Sequence, residues 1–181
     1  VFLTSGYNNI PGADDIQSGS GKGYLFVIDV ATGHAIANLG SGGGVDGGVL
    51  TTGKGDTTTP SGLAKITAIT ANPNTDPLVT YVYGGDNQGQ MWRFDFTGDQ
   101  VQRLLMADAG PDQPITTRPD VAMCQVSSVN QGANASPTKR VVAFGTGRML
   151  DLPDIQNTRL QSAYVLKDDD GAFDADAWRK N

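Results

Sequence analysis

The feature that most constrains this chain is a short pattern that occurs three times: an apolar strand ending at glycine, then a second strand carrying an aromatic residue. The first copy runs from Val1-Phe2-Leu3-Thr4-Ser5-Gly6 to Gly23-Tyr24-Leu25-Phe26-Val27-Ile28-Asp29, and the second from Tyr81-Val82-Tyr83-Gly84-Gly85-Asp86 to Gly89-Gln90-Met91-Trp92-Arg93-Phe94-Asp95. The third joins Val141-Val142-Ala143-Phe144-Gly145-Thr146-Gly147 to Ser162-Ala163-Tyr164-Val165-Leu166. Gly6, Gly85 and Gly145 match, as do Phe26, Trp92 and Tyr164. A repeated unit of strand, turn and strand cannot hide its apolar faces alone, so neighbouring units must stack. The pattern therefore reads as a series of antiparallel β-propeller blades.

Asp29-Val30-Ala31-Thr32-Gly33 and Asp95-Phe96-Thr97-Gly98 supply the next turns, since Asp bonds nearby amides and Gly takes positive φ at little cost. Third strands are expected at His34 to Leu39 and Val101 to Met106. Fourth strands are expected at Leu63 to Ile69 and Val121 to Cys124. The fold class is thus all-β: an incomplete β-propeller of about two and a half to three antiparallel blades, over residues 1–70, 80–125 and 140–181 of a single unit. Pro11 to Lys22, Gly40 to Thr59 and Ser127 to Thr138 read as loops, and loops held by rigid strands are the expected contact points. The tail from Asp168 reads as acidic and solvated, with a helical stretch around Asp174 to Lys180. A closed propeller needs at least four blades to cover its edges, and the chain starts directly on Val1-Phe2-Leu3, so it reads as a piece of a longer protein.

The 24 glycines among 181 residues support short strands and tight turns over a helical bundle. A formal charge of −6 disfavours nucleic acid as a partner, because tracking phosphates requires clustered Lys and Arg. No apolar run reaches the length of a membrane-spanning helix. The single cysteine, Cys124, forms no intrachain disulfide and is expected to be buried.

The stretch Tyr83-Gly84-Gly85-Asp86-Asn87-Gln88-Gly89-Gln90-Met91-Trp92-Arg93-Phe94-Asp95 resembles the YxGDxxGNxWRFD signature of the PilC/PilY family of type IV pilus tip-associated proteins. Ser5 to Asn9, Leu25 to Asp29 with Thr32-Gly33, Pro60 to Ala64, Gln113 to Pro119, Phe144 to Arg148 and Gln161 to Tyr164 agree in the family's order. The resemblance implies a C-terminal β-propeller of modified quinoprotein type. It also implies a role in pilus biogenesis, retraction control or adhesion, with minor pilins, other pilus-assembly proteins or a host surface as partners. The implied location is the periplasm, outer-membrane surface or pilus tip of a Gram-negative bacterium.

Family members often carry a calcium loop of the form DxDxDGxxD before the YxGD strand. Here the corresponding positions are Asn72, Asn74, Asp76 and Thr80, with Pro77 where glycine is usual. One carboxylate is poor provision for a hard cation, and the stretch reads equally well as a plain turn. Asp168-Asp169-Asp170-Gly171 with Asp174 and Asp176 is richer in oxygen but fits no complete EF-type loop. No cofactor is expected. A quinoprotein-like oxidoreductase is the alternative reading, beside a carbohydrate-binding propeller, but an enzyme of that kind builds its pocket from a full ring of blades. His34 lies in a turn without a catalytic companion, and Gly40 to Gly48 lacks the GK[ST] ending of a phosphate loop, so it reads as a flexible linker. Alternation puts Trp92 and Phe94 on one face and Met91 and Arg93 on the other; packing between blades is the expected role of the first pair. Asp29, Asp86 and Asp95 read as turn residues.

Overall fold

A computed structural model describes residues 1–7, 19–36, 39, 44–45, 48–125 and 138–168. The first sheet has the order β1-β2-β4-β3, from β1 (Phe2–Thr4), β2 (Tyr24–Val27), β3 (Gly44–Val45) and β4 (Val49–Thr51). The middle sheet runs β5-β6-β7-β8: β5 (Ile66–Asn72), β6 (Asp76–Gly85), β7 (Gln90–Asp95) and β8 (Gln102–Asp108). The third is β11-β10-β9, from β9 (Asp120–Gln125), β10 (Thr138–Gly145) and β11 (Ala163–Asp168), with a one-turn helix α1 (Leu152–Ile155) between β10 and β11. All neighbouring strands are antiparallel. Three stacked sheets of this kind are the partial propeller expected from the repeats.

The sheets stack because β7 is apolar on both faces. Trp92 and Phe94, with Val82, pack against Leu25, Val27, Leu50 and Leu63 on the side of the first sheet. Met91 and Tyr83, with Met106 and Ile115, pack against Val142, Phe144 and Leu166 of the third. Phe2 meets Phe96 edge to face, with centroids 5.4 Å apart. Burying each such side chain contributes about 1.5–3 kcal/mol.

The strand phase differs from expectation. Residues 66–72 do not close the first sheet; they open the middle one, pairing with β6 through a turn of three residues. So short a connection leaves an antiparallel neighbour as the natural partner. Leu63 and Ala64 instead form the link between sheets, their amides donating to Gly6 O (2.9 Å) and Gly85 O (2.8 Å). In the same way β9, expected as a fourth strand of the second blade, pairs with β10. The third strand of the first sheet is Val49–Thr51; in the stretch from His34 the described residues form an Ile28–Ala35 bridge, with Ile36 N donating to Val27 O at 2.9 Å.

Residues 40–59 are therefore not simply a loop. Nor is Gly48 linker-like: a Cβ there would fall 2.5 Å from Val27 O and 2.6 Å from Ile36 N. Of the loop expected from Pro11, residues 11–18 lie outside the described residues, and Gly21 packs on the backbone of Asp56. Residues 127–137 and the expected helical stretch at 174–180 also lie outside the described residues. Cys124 is exposed, not buried, because β9 is an edge strand of its sheet.

Candidate functional site

The corner between β6 and β7 is built on Asp86, which is fully buried. Its Oδ1 accepts the amides of Gln88 and Gln90, both at 2.9 Å, and its Oδ2 accepts the Trp92 indole Nε1–H at 2.8 Å. Burial pushes the carboxyl up to about 7, against the pull of these donors. The backbone around it ties the linkers of both neighbours: Asn87 N donates to Ser61 O and Ile115 N to Asp86 O, each at 2.8 Å. Gly89 completes the turn at φ 78°, and a Cβ there would lie 2.2 Å from Gly110 O. Asp86 thus does more than the turn role expected of it, since it also anchors the tryptophan. Asp29 and Asp95 are turn residues, accepting the amides of Ala31 (2.8 Å) and Thr97 (2.9 Å).

A second polar centre lies between the middle and third sheets. Asp168 is buried and accepts the Tyr83 hydroxyl at 2.6 Å, Arg140 Nε at 3.1 Å and Arg93 Nη1. Burial raises its carboxyl, but the Tyr83 hydroxyl and the two guanidiniums outweigh that and hold it below the usual range. Arg140 also stacks on the Tyr81 ring, 4.0 Å from its centroid. Asp168 is therefore no part of a solvated tail; Asp169, Asp170, Asp174 and Asp176 lie outside the described residues. Arg93 faces the third sheet, as alternation requires. Beside this centre is a cleft of about 710 Å³ lined by β5, β6, β9 and Arg140.

Asn72, Asn74 and Asp76 sit at the exposed tip of the β5–β6 hairpin. Asn72 Oδ1 accepts the Asn74 amide at 3.2 Å and Asp76 Oδ1 accepts the Leu78 amide at 3.0 Å. Among the described residues no three His, Cys, Asp or Glu side chains gather as a metal would require. His34 is exposed in its turn.

The excursion between β10 and β11 is what sequence reasoning passed over. Met149 (79% exposed), Leu152 (77%), Ile155 (65%) and Leu160 (84%) all point to solvent. They are held rigidly. Asp151 and Asp154 form a capping box on α1, and Asp154 accepts Arg148 Nε at 2.9 Å and the Leu150 amide at 2.9 Å. Gln113 Nε2 donates to Leu160 O (3.3 Å) and Tyr164 OH to Gln113 Oε1 (2.6 Å), strapping the excursion to the middle sheet. The available signal was an apolar run, Met149-Leu150 with Leu152 and Ile155, interrupted by a capping pair. A cleft of about 840 Å³ adjoins it, lined by Tyr7, Pro60, Asn87, Pro111, Arg148 and Leu150 among others.

Stacked antiparallel sheets with polar centres turned inward and apolar side chains displayed from a strapped loop define a β-propeller segment. The chain belongs to the PilY1 beta-propeller domain family, whose model matches residues 1–179. It is 28% identical over 166 residues to the type IV pilus biogenesis factor PilY1 of Pseudomonas aeruginosa, covering 81% of this chain and 13% of that protein. To a PilY1 homolog of Xylella fastidiosa it is 26% identical over 173 residues, covering 84% of this chain and 10% of that one. The crystal structure of the P. aeruginosa PilY1 C-terminal domain superposes with a TM-score of 0.57 at 21% identity, over 96% of this chain and 38% of that chain. The chain thus spans about a tenth of the curated relatives it matches.

Proposed function

We propose that this chain is a non-catalytic propeller segment of a type IV pilus-associated protein, acting in pilus biogenesis, retraction control or adhesion through protein contacts. The carrying observation is the strapped β10–β11 excursion with Met149, Leu152, Ile155 and Leu160 exposed. Large apolar side chains on a rigid support give up little conformational freedom when covered, the condition under which an apolar patch binds well. The relatives' description as type IV pilus biogenesis factors supports minor pilins or other pilus-assembly proteins as the partners, ahead of a host surface. The periplasm, outer-membrane surface or pilus tip is the corresponding location. Among the described residues no helix is long and apolar enough to cross a membrane.

The buried carboxylates Asp86 and Asp168 are engaged in holding turns and sheets together, which supports the non-catalytic reading. The test is co-purification of pilus-assembly proteins with this chain carrying Leu152→Asp and Leu160→Asp. Loss of capture at least tenfold with unchanged melting is expected. Undiminished capture would place the contact elsewhere, and a bound quinone absorbance or dehydrogenase turnover would overturn the non-catalytic reading.

A further inference from the structure

The two stacking interfaces are built differently. Between the first and middle sheets the core is apolar, carried by Leu25, Leu50, Trp92 and Phe94, with Arg103 at its margin stacked on Trp92 and donating to Thr51 O at 2.6 Å. The interface between the middle and third sheets adds the buried ionic centre at Asp168. Its position matters. Asp168 ends β11, while the strand's other end, at Ala163, lies where the backbone ties to the middle sheet cluster. There Ile115 and Gly147 form a parallel bridge, Gly147 N donates to Pro114 O at 2.7 Å, and Thr116 Oγ1 donates to Gly147 O at 2.8 Å. A six-residue strand separates the two attachments by roughly 17 Å. The 710 Å³ cleft between β5–β6 and β9–β10 lies on the Asp168 side, with Arg140 shared between the cleft wall and the ionic centre. Among the described residues the tie from β5 to the β9 side is made by side chains, Thr67 Oγ1 donating to Pro119 O and Arg118 Nε to Thr67 Oγ1, on the 145–147 side of the Met123–Arg140 pair; no backbone-to-backbone bond joins β5 to β9.

We propose that the third sheet is hinged to the middle sheet at its 145–147 end and latched at the other by Asp168, so that releasing the latch opens the cleft without disturbing the first sheet. The physical cause is desolvation. With Asp168 neutralised, the Arg93 and Arg140 guanidiniums lose the counter-charge that this carboxylate supplies, and the least costly response is to hydrate them by parting the two sheets where no backbone bond holds them. The hinge ties survive because none of them involves Asp168. Nothing in the apolar first interface responds to that charge. The cleft would then exist in a closed and an open form whose balance is set by the Asp168 carboxylate with Tyr83, Arg93 and Arg140 from β6, β7 and β10.

Hydrogen exchange read by mass spectrometry on the 181-residue chain tests this at neutral pH. In Asp168→Asn, amides of β9, β10 and β11 and those of β5 along the cleft exchange faster by on the order of a hundredfold. Amides of β1, β2 and β4 keep their wild-type rates, and so do Ile115 and Gly147 at the hinge. Acceleration spread evenly over all three sheets, acceleration confined to residues next to 168, or none at all would each overturn the latch. Should Asp168→Asn not fold, Tyr83→Phe removes a single latch partner and must give the same regional pattern at smaller amplitude; an even pattern there overturns the proposal as well.

Discussion

The indole N–H of Trp92 donates to the Oδ2 of Asp86 across 2.8 Å, with both residues buried and Asp86 already holding two backbone amides on its other oxygen. The bond joins the turn that ends β6 to the strand that fills the first interface. Trp92→Phe keeps most of the ring's packing but strands Oδ2 without its donor. Leaving a buried acceptor unsatisfied costs about 1–3 kcal/mol, more if it is charged, so the variant should lose at least about 2 kcal/mol in urea unfolding. A loss under 0.5 kcal/mol would show the bond to be ornamental.

Asp86 also sets a pH dependence. Burial raises its carboxyl from an ordinary 3.8 to about 7, with the neighbouring Asp108 charge adding to the rise. In a raised acid the folded state holds the proton more tightly than the unfolded chain. Its contribution is therefore fully present below about pH 4 and lost as pH climbs through 7, amounting to about 4 kcal/mol at most. Asp168 and Asp154 are held below their ordinary values and act in the opposite sense at acid pH. The measurement is thus the stability of wild type minus that of Asp86→Asn, followed from pH 4.5 to 8.5. That difference should fall across pH 5–7 and flatten above; a flat or rising difference excludes the titration.

Gly89 admits no side chain. Its φ of 78° disfavours any L residue, and the added Cβ would meet the backbone oxygens of Gly110 at 2.2 Å and Gln113 at 2.8 Å. Neither obstacle is a flexible side chain, so Gly89→Ala must displace the 110–113 turn that braces the β10–β11 excursion. A loss of at least about 2 kcal/mol is expected, with weakened protection at the Ala109 amide, which bonds Gly89 O at 2.8 Å. Wild-type stability in this variant would mean that the turn is slack.

How far the sequence reached depends on how local the information was. Alternation from Gln90 to Asp95 made both faces of β7 legible, because Met91 packs towards one neighbouring sheet and Trp92 and Phe94 towards the other with period two. Val49–Thr51 was hidden: three residues in a Gly/Thr-rich stretch carry no periodicity, and only pairing with Tyr24–Phe26 makes them a strand. The blade phase slipped for a related reason, since strand order follows from the short turn at 73–75 and not from the apolar pattern. Asp168 was misread because it begins an acidic run, while its partners Tyr83 and Arg93 lie 85 and 75 residues away. The apolar excursion was readable as composition, but its exposure came only from the strap formed by Gln113 and Asp154.

The hairpin tip at Asn72, Asn74 and Asp76 offers the last test, because it bears on calcium. The Oδ1 atoms of Asn72 and Asp76 are already engaged by the amides of Asn74 and Leu78, which shape the turn. A calcium ion takes 6–8 oxygens, and recruiting them here would mean giving up these turn bonds for one carboxylate's worth of charge. Millimolar calcium should therefore leave the melting temperature of the wild-type chain within about 1 °C, and Asp76→Asn should melt as wild type does with or without the ion. Calorimetric heat that disappears in Asp76→Asn would restore the hairpin as a calcium site. Heat that persists in that variant would point to carboxylates elsewhere in the chain and leave the hairpin a turn.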